Sequence, residues 1–125
     1  MPEYRGSKFG KGFKQHREWI ESATLFNKDA KGVETLSAAG KAQLDETMTA
    51  ILRFPRNGPL MIEGFAGAGT ASQRYLVARR RAVRVQAYLI DRFHLRPAYV
   101  GVIALGAEAT SGVVKEGVGI VSFYK

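Results

Sequence analysis

The chain has 125 residues, enough for one domain with a single core, and 46% of them are hydrophobic, which excludes a disordered chain. It has no cysteine, so disulfides, thiolate metal sites and cysteine nucleophiles are excluded, and its two histidines, His16 and His94, are too few for a histidine-rich metal cluster. The net charge of +8 points to an anionic partner: nucleic acid, a membrane surface or a carboxylate-bearing polymer.

Residues 1–17 read as a flexible basic arm or linker, with Gly6, Gly10 and Gly12 among Lys8, Lys11, Lys14 and Arg17. They contain no apolar segment of a signal peptide. Residues 18–125 read as the domain. Trp19 to Phe26 is a first strand of imperfect alternation, and Asn27 to Gly32 supplies turn chemistry. Ser37 then stands as an N-cap. Leu44, Met48, Ile51 and Leu52 follow at i, i+4, i+7 and i+8, one face of a helix running to about Phe54. Pro55, Asn57, Gly58 and Pro59 stop it.

Leu60 to Phe65 is a short apolar run between punctuating residues and reads as a strand. Gly64, Gly67 and Gly69 make a loop, and Ser72 is the expected cap of a second helix reaching Phe93. Ala78, Ala82, Val85 and Leu89 mark its core face, with Arg79, Arg80, Arg84 and Asp91 pointing away. Val100 to Leu105 and Gly117 to Tyr124 are the last two strands. The order β-α-β-α-β-β predicts an α+β fold, a two-layer sandwich with two helices on one face of a small mixed sheet. No run reaches the roughly 18 to 20 apolar residues of a membrane helix.

Gly67-Ala68-Gly69-Thr70-Ala71-Ser72 imitates a dinucleotide fingerprint, but the required acid at the end of a following strand is missing. Gly64 to Gly69 is followed by Thr70 and not by lysine, so it is no P-loop. These glycines read as a tight strand-to-helix turn. Arg79, Arg80 and Arg81 fan around the helix at roughly 100° per residue and make no single stripe. Ser72, Ser111 and Ser122 lack the setting of a nucleophile, and Glu18, Glu21, Asp45, Glu46, Glu63 and Glu108 read as surface acids. The chain therefore reads as a non-enzyme without cofactor or metal.

The middle of the sequence resembles the OmpA-like family (the C-terminal domains of the OmpA, MotB and Pal type). Ile62-Glu63-Gly64-Phe65-Ala66 resembles the end of that family's second strand. Arg81-Ala82-Val83-Arg84-Val85-Gln86-Ala87-Tyr88-Leu89 matches its helix pattern R-A-x-x-V-x-x-Y-L without a gap, and Leu36 to Gly40 with Leu44 and Ile51 resembles its first helix. The resemblance spans about residues 20–106. It implies a peptidoglycan-associated module of the periplasm or cell envelope, part of a longer exported or anchored protein. In that family a loop aspartate and the arginine of the Arg-Ala pair hold the zwitterionic end of diaminopimelate, a carboxylate meeting the ammonium and a guanidinium the carboxylate.

By that resemblance Arg81 takes the guanidinium role, beside Ala66, Gly67 and Arg74. The aspartate's position is Gly67 or is lost to a one-residue deletion in the loop, Arg74 replaces the usual asparagine, and no acid lies between Glu63 and Asp91. Val113-Val114-Lys115-Glu116-Gly117 replaces the family's Asn-Arg-Arg before the last strand. Losing one charged partner of a desolvated pair costs several kcal/mol, so weakened or altered diaminopimelate binding is expected. The alternatives are a ligand-free structural or protein-interaction module of a larger envelope protein, lipid-transport proteins included, and a basic nucleic-acid-binding domain.

Overall fold

In the computed structural model the described residues are 14–53, 58–106 and 116–124. The first strand, β1 (Lys14–Glu21), pairs antiparallel with the last, β6 (Gly117–Tyr124), from Lys14 opposite Tyr124 to Glu21 opposite Gly117. It begins five residues before Trp19, so Lys14 to Arg17 belong to the sheet and not to the basic arm. Residues 1–13 lie outside the described residues. The alternation is blurred because both faces of β1 find partners. Ile20 enters the core beneath the helices, while Arg17 and Trp19 face Glu63 and Phe65 on the opposite side.

The expected strand to Phe26 is interrupted by a short helical turn, α1 (Ser22–Leu25), which buries Leu25. A two-stranded hairpin follows, β2 (Phe26–Lys28) and β3 (Glu34–Leu36). Asp29 builds its turn by accepting N–H bonds from Lys31 and Val33, and Gly32 takes the positive φ of 82° that the reversal needs. Ser37 caps α2 (Ala38–Ile51) as its sequence position predicts, accepting the Gly40 N–H at 2.8 Å. Leu44, Met48 and Ile51 are fully buried. Leu52 is 44% exposed because α2 has already ended at Ile51. Of the residues expected to stop the helix, Pro55 and Asn57 lie outside the described residues, and Gly58 and Pro59 lead directly into the next strand.

Strand β4 (Leu60–Phe65) sits inside the sheet, whose order is β1-β6-β4-β5. It runs antiparallel to β6 and parallel to β5 (Val100–Gly106), to which α3 (Ala71–Phe93) connects it. Thr70 caps α3, two residues before Ser72. Gln73 decides the register, since at the third helical position it returns a bond to the Thr70 N–H and completes a capping box. Ala78, Ala82, Val85 and Leu89 are fully buried, as the periodicity predicts. With Leu44, Met48 and Ile51 they enclose Ile20, Ile62, Val118 and Ile120, which makes the predicted α+β sandwich of helices over a mixed sheet.

The other face of the sheet holds Glu63, which is fully buried and not a surface acid. Arg17 reaches across β6 and donates to both its oxygens, at 3.0 and 3.2 Å, over Gly119, where a Cβ would approach the carboxylate to 2.7 Å. Gly64 has a comparable role on the helix face: a Cβ there would lie 1.9 Å from the Ala78 carbonyl oxygen. The backbone of β4 thus touches the backbone of α3, and this contact sets how close the next turn of α3 comes to the loop after Phe65. Gly64→Ala is expected to destabilise the domain by about 3 kcal/mol, because neither backbone can yield as a side chain would. A urea midpoint equal to that of the wild type would show that the contact relaxes freely.

Candidate functional site

The loop from Ala66 to Gly69 carries the chain from β4 into α3, with Gly69 at a φ of 92°. Arg74 folds back and donates to the Gly69 carbonyl at 2.8 Å. One turn beyond the Gly64 contact, Arg81 projects from the sheet-facing side of α3 with only 7% of its side chain exposed. Its guanidinium makes four hydrogen bonds. Nε and Nη2 grip Glu34 in a two-pronged pair, at 2.9 and 2.8 Å. Nη1 donates to the Phe65 carbonyl at 2.8 Å and to Glu116 at 2.7 Å. Of five guanidinium N–H groups, one on Nη2 has no partner among the described residues.

Glu34 opens β3 and is held within reach of α3 by the hairpin; 14% of its side chain is exposed. Glu116 stands directly before β6, is 41% exposed, and also accepts the backbone N–H of Gly67. Burial alone would lower the Arg81 pKa, but the bonds and charges of Glu34 and Glu116 outweigh it and raise the value, so the guanidinium stays charged. Partial burial would raise Glu116. The Arg81 bond, the Gly67 N–H and the charges of Arg81 and Lys28 prevail, and hold its carboxyl below the usual carboxylate range.

A cavity of about 440 Å³ opens between the β2–β3 hairpin and α3, with Glu34, Arg81 and Glu116 on its inner side. Lys28, Lys31, Arg80 and Arg84 line it nearer the surface. Of the residues expected from the sequence, Arg81 and Ala66 line this cavity. Gly67 contributes its N–H to Glu116, and Arg74 is turned onto the loop, outside the lining. Arg79 and Arg80 are exposed while Arg81 is buried, so the arginine triplet does not form one surface. The sequence reading missed Glu34 and Glu116. The only available signal was the presence of Glu116 in the segment replacing the family's Asn-Arg-Arg. Among the described residues no helix is long and apolar enough to cross a membrane, and no three metal-ligating side chains cluster.

The sequence matches the model of the OmpA family over residues 30–117. No curated protein matches it significantly. The fold is shared with the periplasmic domain of Helicobacter pylori MotB, at a TM-score of 0.65 and 17% identity over 95% of this chain and 83% of that one. It is shared also with the OmpA-like domain of FopA1 from Francisella tularensis subsp. tularensis SCHU S4, at a TM-score of 0.60 and 17% identity. That match covers 72% of this chain and 64% of the FopA1 chain, less than two thirds of its length. The chain belongs to the OmpA family.

The Arg81–Glu116 contact makes stability pH-dependent. Because the folded state holds Glu116 below its ordinary pKa, its contribution is complete above that ordinary value. It is lost as the pH falls through the lower, folded-state value. Denaturant stability followed from about pH 7 to about pH 3 should fall less steeply in Glu116→Gln than in the wild type. Equal slopes would remove Glu116 from the balance.

Proposed function

We propose that this OmpA-family domain is a non-enzymatic module of the cell envelope that associates with the peptidoglycan stem peptide through a weakened and altered diaminopimelate contact. The reading places it in the periplasm, as a domain of a longer exported or anchored protein. One observation carries it: Glu116 brings a carboxylate to Arg81 and to the Gly67 N–H, from the opposite end of the chain's core, where the loop itself has no acid. In this arrangement Glu116 meets the ligand's ammonium. The ligand's carboxylate reaches Arg81 only through the single N–H that Glu34, Phe65 and Glu116 leave, so binding is weak.

The two-pronged grip of Glu34 on Arg81 favours a second reading, in which the guanidinium is structural and the domain serves a larger envelope assembly without this ligand. Titration of the labelled domain with diaminopimelate or a muropeptide separates the two. The first reading expects saturable amide shifts at Gly67 and Arg81 in roughly the millimolar range, weakened about tenfold by Glu116→Gln as a charge-assisted bond is lost. Absence of any shift leaves the structural reading, and a shift indifferent to Glu116→Gln rejects the role given to that carboxylate.

A further inference from the structure

We propose that the outer part of the cavity beside Arg81 is a binding site for a phosphate monoester, held by Lys28, Lys31, Arg80 and Arg84. Five cations and two carboxylates line the cavity. Both carboxylates are engaged by Arg81. The other four cations form no ion pair among the described residues, although the charge of Lys28 is felt by Glu116 through space. The cavity volume, about 440 Å³, lies in the range of small-molecule sites.

The four cations come from two elements that face each other across the opening. Lys28 ends β2 and Lys31 lies in the Asp29-built turn, so their backbone is held by the hairpin. Arg80 and Arg84 are one turn apart on α3, where like charges repel. An anion between the hairpin and the helix relieves that repulsion and gains from the converging field.

The inner carboxylates define what kind of anion fits. Glu34 and Glu116 repel an anionic group that moves deep toward Arg81, so the charge must stop among the outer cations. The same carboxylates keep lone pairs that accept from a hydroxyl or amino group on the rest of the ligand. A carboxylate has two oxygens and serves one guanidinium fork. The terminal oxygens and double charge of a phosphate monoester match two forks and the ammonium groups together. None of the four cations is assigned a direct contact with the stem peptide, and only Lys28 bears on that contact, through space at Glu116, so this site does not rest on that reading.

The test uses inorganic phosphate against labelled protein at constant ionic strength, with chloride as the control. Saturable shifts are expected at Lys31, Gly32, Arg80 and Arg84, and affinity at least about tenfold weaker in Arg80→Ala/Arg84→Ala. Lys28→Ala/Lys31→Ala, altered on the exposed hairpin, gives the same reading should the helix variant fail to fold. Retention on phosphatidic-acid vesicles but not phosphatidylcholine vesicles, lost in the same variants, with no response to inorganic phosphate, supports the same site with a lipid headgroup as the source. No response to either probe, or binding undiminished in the folded variants, overturns the proposal. Diaminopimelate is read out at Gly67, so either site can fail while the other stands.

Discussion

A guanidinium stripped of water must be given partners, because the desolvation of a charge costs several kcal/mol that only good hydrogen-bond geometry recovers. Arg81 sets this condition for the whole domain. It leaves α3 on the side facing the sheet, and its bonds reach the end of β4 through Phe65, the hairpin through Glu34 and the entry to β6 through Glu116. Four parts of the chain are thereby joined at one side chain. Among the described residues β2 and β3 form a separate sheet without a ladder to the main one, so the Glu34 pair ties the hairpin to α3 beside the core packing of Phe26 and Leu36. The close approach of Gly64 to Ala78 holds the same corner from the apolar side.

Much of the fold was legible because its signals are local. The spacing of Ala78, Ala82, Val85 and Leu89 fixes a helix face with no knowledge of what it packs on, and all four are buried. Ser37 is an equally local signal and caps as expected. The errors arose where a competing neighbour decided the outcome. Thr70 prevailed over Ser72 because Gln73 stands at the right distance to answer it. Strand β1 starts earlier than its pattern suggests because Arg17 and Trp19 have partners on the second face, which erases the alternation of a one-sided strand.

The site was half legible for the same reason. Arg81 sits within an uninterrupted local pattern, and its proximity to Ala66 and Gly67 follows from the strand-loop-helix order. Glu34 and Glu116 lie 47 and 35 residues away from it in sequence; nothing around Glu34 marks it as a partner, and Glu116 is marked only by its place in the segment that replaces the family's Asn-Arg-Arg. Glu63 escaped similarly. An acid in an apolar strand reads as a surface residue until the arginine that neutralises it, two strands away, is in place.

The absence of an acid in the loop has a consequence for recognition that geometry makes specific. With Arg81 this deeply buried, an unpaired guanidinium is costly to keep while no ligand is present, and the two glutamates supply the needed charge from within the chain. A ligand carboxylate approaching Arg81 can only exchange one charge-assisted pair for another, and it exposes or strands the glutamate that it displaces. Its net gain is therefore small. A ligand ammonium meets no such competition, because Glu116 is partly exposed and retains lone pairs. The inner end of the cavity thus presents a partly exposed carboxylate, while its guanidinium is already engaged within the chain. Lys28, Lys31, Arg80 and Arg84, which form no ion pair among the described residues, are the groups that our proposal assigns to negative charge.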